Sequence, residues 1–207
     1  MKSRCIVGNG DFLEFVFQEW KQARPNETIR RIEVPQHEDY SFDLRLLDDI
    51  NPAENAMFIA IDERFGNFKR MELMQAAMER GFKLEPFIHT SASLGSGVVI
   101  GLNVFVGANV VIEFGSRIDF NTVIHSGATL GAHSRIKASS WIESGVQLGA
   151  HVEIGAHGIV RMGVSVCSGV KIGKNCELGW PRMYSEDIPN KTFFDIRYDE
   201  PIRTYEN

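Results

Sequence analysis

The sequence of 207 residues lacks several features that mark particular classes of protein. Its three cysteines are an odd number with no metal-ligand spacing, so we expect no disulfide framework, a reducing cytoplasm and a buried Cys176. A net charge of −5 gives no basic footprint for nucleic acid and no attraction to an anionic membrane. No apolar run is long enough to span a bilayer, and the first residues turn polar at Gly8, so neither membrane insertion nor a secretory signal is expected.

What the sequence does contain is a six-residue rhythm. From Ile88 to Leu178 every sixth residue is Ile, Leu or Val, sixteen times without interruption. The fourth residue after each of these, from Ala92 to Cys176, is Ala, Val, Ser, Thr, Gly or Cys. Neither a strand nor an α-helix has this period, but a triangular coil of three short strands and three corners does, with the aliphatic residue inside. The rhythm therefore predicts a parallel β-helix, whose left hand we infer from known hexapeptide proteins.

The residues before the repeats follow a different pattern, in which strands alternate with helices. Strands are predicted at 4–7, 28–34 and 56–61, and helices at 12–23 and 68–80. This alternation predicts a small parallel sheet in a Rossmann-like α/β domain. The second helix has apolar residues on one face, which we interpret as core packing. They are Met71, Met74, Ala77 and Met78.

A glycine-rich turn joins the first predicted strand to the first helix. Its residues are Gly8, Asn9, Gly10 and Asp11. Backbone N–H groups in such a turn, at the N-terminus of a helix, can bind a phosphate or a base. The dinucleotide fingerprint would have a third glycine where Leu13 stands, so a plain tight turn is the alternative to a nucleotide site.

The junction between the two patterns carries a family resemblance. The helix that ends in Glu79-Arg80-Gly81-Phe82-Lys83 is followed by Phe87-Ile88-His89-Thr90-Ser91-Ala92, which opens the repeats. With the Gly-x-Gly turn, this arrangement resembles the sialic acid O-acetyltransferases and UDP-4-amino-sugar N-acetyltransferases over nearly the whole chain. Glu186-Asp187-Ile188-Pro189-Asn190 is similar to the segment that closes many hexapeptide acyltransferases, although the usual Gly-x-Pro-Ala does not follow it.

The resemblance implies three parts and an activity. Residues 1–86 would hold a nucleotide-linked sugar, residues 87–180 would form the left-handed β-helix, and residues 181–207 would be a C-terminal tail. The chain would be a homotrimer that transfers an acyl group from acetyl-CoA, or another acyl-CoA, to an amino or hydroxyl group of the sugar for surface glycan assembly. The implied substrate-binding residues are Gly8, Asn9, Gly10 and Asp11, and the implied CoA-binding residues are Trp141, Met162, Gly179 and Trp180. Trp141 is expected to point outward as an exposed indole, against either a subunit interface or a pantetheine arm.

The resemblance also implies a histidine as general base, two residues after an inward aliphatic residue. Counting hexads places Ala132 at that position. His125 is one candidate, because Glu143 lies one coil further on and could orient and activate its imidazole. A stabilising ladder of His125, Glu143 and Arg161 on the surface is the alternative.

His133 is the other candidate, because it is adjacent to the expected position. It is predicted to stack beneath His151, and the pair could also be only a solvated edge. His89 is expected to be structural.

The missing histidine supports a second hypothesis, a non-catalytic trimeric scaffold or ligand-binding protein. A zinc site like that of β-helical carbonic anhydrases needs histidines on particular corners of adjacent hexads, and that pattern is missing, so we expect no metal. A transferase with a formyl or longer acyl donor remains open.

Overall fold

The computed structural model describes residues 3–204. Residues 1, 2 and 205–207 belong to the first and last predicted segments and lie outside the described residues. The N-terminal part forms a four-stranded parallel sheet with helices. Its elements are β1 (Ser3–Gly8), α1 (Gly10–Ala23), β2 (Ile29–Glu33), α2 (Arg45–Asp48), β3 (Asn55–Ala60), a 3₁₀ turn (Arg64–Asn67), α3 (Phe68–Glu79) and β4 (Lys83–Leu84). The three predicted strands and two long helices are present, and α1 begins two residues earlier than predicted.

The order of the strands in this sheet is β2-β1-β3-β4. The chain runs from β1 to one neighbour and then crosses to the other, so the direction of winding reverses between β1 and β3. Ligands of open α/β sheets bind at the carboxyl ends of the strands at such a point. In this protein that edge carries the turn after Gly8 and the loop after Ala60. Gly8 and Ala60 themselves pair in the register of β1 and β3.

The remaining strands are short and evenly spaced. They are β5 (Phe87–Ile88), β6 (Ser93–Leu94), β7 (Val99–Ile100), β8 (Phe105–Val106), β9 (Val111–Ile112), β10 (Arg117–Ile118), β11 (Val123–Ile124), β12 (Thr129–Leu130), β13 (Arg135–Ile136), β14 (Trp141–Ile142), β15 (Gln147–Leu148), β16 (Glu153–Ile154), β17 (Ile159–Val160), β18 (Ser165–Val166), β19 (Lys171–Ile172), β20 (Glu177–Leu178), β21 (Met183–Tyr184), β22 (Thr192–Phe194) and β23 (Ile202–Arg203). They form sheets of five, eight and six strands. From β5 to β21 each residue pairs with the one eighteen positions away, as Ile124 does with Ile142. The predicted β-helix of hexapeptide repeats is confirmed.

The predicted aliphatic column forms the core of this prism. It is buried from Val106 onward, whereas Leu94 in the first coil is 38% exposed because no earlier coil covers it. The third residue after each inward one, from Gly97 to Asn175, has a positive φ. Glycine, asparagine and histidine enter this left-handed region more readily than bulky residues do. The corner therefore accounts for His133, His151 and His157 on backbone grounds alone.

The tail continues the prism. Tyr184 and Phe194 are buried against its last coils, where β21 pairs with β18 and β22 pairs with β20. The last strand, β23, runs antiparallel to β22. These contacts close the C-terminal end of the apolar column with the chain's own aromatic side chains.

The N-terminal domain covers one face of the prism, the outer face of the eight-stranded sheet. Outward-pointing residues of five successive coils form one buried cluster with α1 and with the sheet of the domain. The residues of the prism in this cluster are Phe87, Phe105, Val123, Trp141 and Ile159. The predicted exposure of Trp141 is therefore wrong: the side chain is 5% exposed, because α1 packs over it.

The methionine stripe of α3 is core packing only in part. Met74 and Ala77 are buried, but Met78 is 48% exposed. Met71 and Met78 line a cavity of about 680 Å³ between α3 and the five-stranded sheet, opposite residues such as Phe120. The interpretation is wrong for these two methionines because no element within residues 3–204 fills the space beside them. Between residues 3 and 204, no helix is long and apolar enough to cross a membrane.

Candidate functional site

The turn after β1 is shaped by two glycines. A Cβ atom on Gly8 would lie 1.8 Å from the carbonyl oxygen of Ala60, so only glycine allows β1 and β3 to approach here. Gly10 has a φ of +67° and opens α1. The Arg64 guanidinium, from the loop after β3, lies 3.5 Å from the place a Cβ on Gly10 would take. The start of α1, with its free N–H groups, thus faces the loop after β3.

Two polar residues of this turn lie at the N-terminus of α1. The N-cap residue Asn9 makes no side-chain hydrogen bond to α1, and its buried Oδ1 has no hydrogen-bond partner within residues 3–204. Its Nδ2 donates to Oε1 of Gln36 at 3.4 Å. Asp11 lies in the first turn of α1 and is exposed. The predicted substrate-binding residues are thus together at the switch point of the sheet, and their role in binding remains a prediction.

His125 lies on the prism beside this edge of the sheet. Its ring is packed by Phe12 and Phe15 of α1 and by Trp141, with centroids 5.9, 6.1 and 4.6 Å away. Burial lowers the pKa of His125 to about 4; Glu143 and Glu63 oppose this shift and Arg70 adds to it. The imidazole is therefore neutral at pH 7. Its Nε2 is buried and has no hydrogen-bond partner among the described residues.

Glu143 lies one coil beyond His125, as expected, but its carboxylate is bound elsewhere. Oε1 accepts a hydrogen bond from Nη1 of Arg161 at 2.7 Å, and Oε2 accepts one from the backbone N–H of Met162 at 2.8 Å. The expectation that Glu143 orients the imidazole is thus not met in this conformation. The contact between Glu143 and Arg161 matches the alternative of a charge ladder.

Arg161 joins the prism to the sheet edge of the N-terminal domain. Its Nη1 also donates to Oε1 of Glu63, and its Nε donates to Oε1 of Glu177, both at 2.7 Å. Burial lowers the pKa of Arg161, but the hydrogen bonds to Glu143, Glu63 and Glu177 outweigh it and raise the pKa above its ordinary value. Three carboxylates around one guanidinium leave the group negatively charged.

These groups surround a small cavity. It has a volume of about 230 Å³ and is lined by Glu63, His125, Trp141, Glu143, Ser144 and Met162. Glu63 belongs to the loop after β3, and the other five residues belong to the prism. The cavity therefore lies where the edge of the sheet meets the prism. We call the corner that carries His125, Glu143 and Arg161 the covered corner.

Arg70 fixes this junction from inside. The side chain is fully buried, and its guanidinium donates to the carbonyl oxygens of Asn121, Ile61 and Asp62. It also lies 5.4 Å from the centre of the Trp141 ring. Burial lowers the pKa of Arg70 to about 9, so it stays charged at pH 7. Neither Arg70 nor Glu63 belongs to a repeat or a motif, so no sequence pattern indicates either residue.

The second histidine candidate is on another corner, which we call the bare corner and which carries Glu113, Ala132, His133 and His151. His133 stacks on His151 as predicted, with ring centroids 5.1 Å apart and planes 17° from parallel. Both rings are exposed. Oε2 of Glu113 accepts a hydrogen bond from the backbone N–H of Ala132 at 2.9 Å, the same contact that Glu143 makes with Met162.

The predicted CoA-binding residues lie in different surroundings. Met162 is 68% exposed at the rim of the small cavity. Gly179 leaves room for the tail, since a Cβ there would lie 2.3 Å from the carbonyl oxygen of Phe194. The indole of Trp180 donates to the carbonyl oxygen of Asp195 at 2.8 Å. The small cavity thus brings Met162 and Trp141 together, whereas Gly179 and Trp180 contact the tail. The contact of all four residues with CoA remains a prediction.

His89 makes local contacts at the junction. Its Nδ1 lies 2.8 Å from Oγ of Ser91 and 3.1 Å from the backbone N of the same residue. These contacts close the first turn of the prism and fit the structural role expected for His89. No group of three or more His, Cys, Asp or Glu residues within 3–204 is arranged to hold a metal ion.

Comparisons with known proteins bear on this arrangement. No protein-family model matches the sequence, and no curated protein matches it. PerB from Caulobacter crescentus, in complex with CoA and GDP-perosamine, is 25% identical over 93% of both chains, with a TM-score of 0.81. The chain is thus similar over nearly its whole length to hexapeptide-repeat acyltransferases. The family resemblance of the sequence is thereby confirmed.

Two other solved structures resemble this chain. A perosamine N-acetyltransferase from Caulobacter crescentus, with one histidine replaced by asparagine, also binds CoA and GDP-perosamine and is 25% identical over 93% of both chains, with a TM-score of 0.81. WeeI from Acinetobacter baumannii AYE is 12% identical, covers 98% of this chain and 100% of its own, and has a TM-score of 0.52. The likeness to WeeI supports the fold alone.

Proposed function

We propose that this chain transfers an acyl group from acetyl-CoA, or another acyl-CoA, to an amino or hydroxyl group of a nucleotide-linked sugar. The observation that carries the proposal is the match over 93% of both chains to PerB, which binds CoA and GDP-perosamine. Two features of the chain support it: the glycine turn at the switch point of the sheet, and a neutral histidine beside that edge. Such a reaction belongs to the assembly of surface glycans.

His125 is the proposed base. Nε2 of the neutral imidazole takes a proton as the nitrogen or oxygen of the acceptor attacks the thioester carbon. The bond between this carbon and sulfur then breaks, and the leaving thiolate takes up the proton as free CoA. A base with a pKa of about 4 is weak, but it is fully in its basic form at pH 7. Phe15, which is 37% exposed and lies over the ring, would have to move to admit the acceptor.

Further parts of the proposal concern assembly and location. A homotrimer would cover apolar side chains on the faces of the prism that the N-terminal domain leaves open. They include Val99, Leu102 and Val111, which are 37–50% exposed. The proposal also includes a left-handed coil, a Rossmann-like N-terminal sheet and the three predicted segments. It places the protein in the cytoplasm.

The direct experiment measures acyl transfer from acetyl-CoA to GDP- and UDP-linked amino sugars, by release of free thiol and by mass of the product. Transfer that disappears in His125→Ala, while CoA and sugar nucleotide still bind, is the expected result. Transfer unchanged by His125→Ala and by His133→Ala would show that neither histidine is the base.

A non-catalytic trimer that binds ligands is the second candidate. It is favoured by Ala132, whose backbone N–H is bound by Glu113, at the position where a histidine is expected. It is also favoured by the burial of Nε2 of His125. Calorimetry with CoA and a sugar nucleotide separates the two functions: binding of both ligands without turnover identifies a binding protein, and turnover identifies the enzyme.

A further inference from the structure

Two exposed aromatic side chains meet on the loops that follow β2 and β3. Tyr40 is 50% exposed and Phe65 is 51% exposed. Their ring centroids are 4.7 Å apart and their planes are inclined by 64°, an edge-to-face arrangement. Each ring therefore has a partner that fixes its direction and still offers surface to solvent.

Both residues hold a backbone conformation that aromatic residues rarely adopt. The φ angle is +63° at Tyr40 and +54° at Phe65. Bulky residues with a positive φ are genuine outliers, and glycine would adopt the same angles without strain. Each ring is about half exposed, so the burial of apolar surface offsets this strain only in part. Strain of this kind is concentrated at ligand sites, where the side chain has a use.

The aromatic pair is connected to the glycine turn at the switch point. Nε2 of Gln36 donates to the carbonyl oxygen of Tyr40 at 3.2 Å, and Oε1 of Gln36 accepts from Nδ2 of Asn9 at 3.4 Å. On the other side, Arg64 precedes Phe65 in the chain and lies beside Gly10. The loops after β2 and β3 thus bring the two rings to the edge that carries the N-terminus of α1.

We propose that Tyr40 and Phe65 form a stacking platform for the base of a nucleoside diphosphate whose phosphates bind at the N-terminus of α1. The inference rests on the proposed function and assigns the residues that hold the nucleoside end of the substrate. A ligand that suits both features must join a flat aromatic ring to an anionic group. A nucleoside diphosphate has both, and stacking accepts any base because every base has a π-face.

The test compares GDP and UDP with inorganic pyrophosphate, which lacks base and ribose, in calorimetric titrations of the full chain. Tyr40→Gly and Phe65→Gly remove the rings and relieve the backbone, so we expect unchanged or higher thermal stability. GDP and UDP should bind about 5- to 150-fold more weakly to each variant, whereas pyrophosphate binding should not change. Tyr40→Phe and Phe65→Tyr keep a ring and should retain affinity for both nucleotides.

Two exposed aromatic residues outside the N-terminal domain provide matched controls. Tyr198 is 51% exposed and Phe114 is 53% exposed, and Tyr198→Ala and Phe114→Ala should leave nucleotide affinity unchanged. Two results would overturn the platform. One is an unchanged affinity for GDP and UDP in the double variant Tyr40→Gly/Phe65→Gly. The other is that the wild-type chain binds pyrophosphate as tightly as it binds both nucleotides. No acyl-CoA is used, so nucleotide binding that depends on the two rings supports the platform even where acyl transfer fails.

Discussion

The covered corner and the bare corner of the prism are built by the same repeat and differ in their surroundings. Each has a histidine, and each has a glutamate that accepts the backbone N–H nineteen residues on, Glu143 at one corner and Glu113 at the other. At the covered corner α1 and the loop after β3 close over His125, whose pKa falls to about 4. At the bare corner His133 and His151 stay exposed. The repeat provides the positions, and the neighbouring domain decides their chemistry.

The largest difference between the corners is expected in turnover. A general base contributes about 10²- to 10⁴-fold to a rate, so His125→Ala should lower kcat by that factor. His133→Ala should leave kcat close to that of the unsubstituted protein, because this ring contacts its own column. Steady-state kinetics measures kcat for both variants. A large loss of kcat in His133→Ala alone would show that the reaction takes place at the bare corner.

Aromatic residues at the two corners should differ in their effect on stability. Trp141 is buried beneath α1, and truncation of buried Trp or Phe costs about 3–5 kcal/mol, so Trp141→Ala should lower the free energy of unfolding by that amount. Phe114 at the bare corner is 53% exposed, and Phe114→Ala should change the free energy of unfolding by less than about 0.5 kcal/mol. Denaturant titrations of the two variants measure both free energies of unfolding. Equal losses would mean that a partner subunit also covers Phe114.

The burial of His125 should also link the stability of the fold to pH. His125 has a folded pKa of about 4 against an ordinary value of 6.5, so between these values the unfolded chain binds a proton that the folded chain does not. The free energy of unfolding is therefore unaffected by the titration of His125 above pH 6.5. It falls by roughly 3 kcal/mol in total as the pH falls towards 4. His125→Asn should remove this part of the slope, and His133→Asn should keep it. Unfolding titrations from pH 4 to 7 that show the same slope for His125→Asn as for the unsubstituted protein would contradict the burial of His125.

The smallest expected effect concerns the ion pairs. Arg161→Met leaves Glu63, Glu143 and Glu177 without their shared cation. Complete burial would make this loss cost about 3–5 kcal/mol, but the side chain is 30% exposed, so we expect about 2 kcal/mol. Arg117→Met removes an exposed pair with Asp119 and should cost less than about 0.5 kcal/mol. The same denaturant titrations compare the two, and added salt should narrow the difference.

Several features of the fold could be predicted from the sequence because they repeat. Each coil places the same side chain in the same environment, so the inward column from Val106 to Leu178 follows from the period alone. A second periodic signal marks the covered face of the prism. Phe87, Phe105, Val123, Trp141 and Ile159 are apolar at intervals of eighteen and point away from the core, which marks the face that the N-terminal domain covers.

The candidate site could be predicted only in part. The Gly8 turn and His125 each stand in a recognisable local pattern, so the sequence identified both. Glu63 and Arg161 are 98 residues apart, and no local pattern relates them. Arg70 contacts the carbonyl oxygen of Asn121, 51 residues away, and no local pattern relates these two residues either. The predicted exposure of Trp141 was wrong because the repeat shows which way a side chain points but not what lies against it.

The sequence by itself determined the prism, the corners with positive φ and the strand–helix alternation before them, since each depends on neighbours within one repeat or one turn. Only the tertiary structure decided which corner is covered, which carboxylate reaches Arg161 and how far the pKa of His125 falls. These properties depend on desolvation and on contacts between distant segments. Burial of an ionisable group is set by everything packed around it, and no six-residue pattern contains that information.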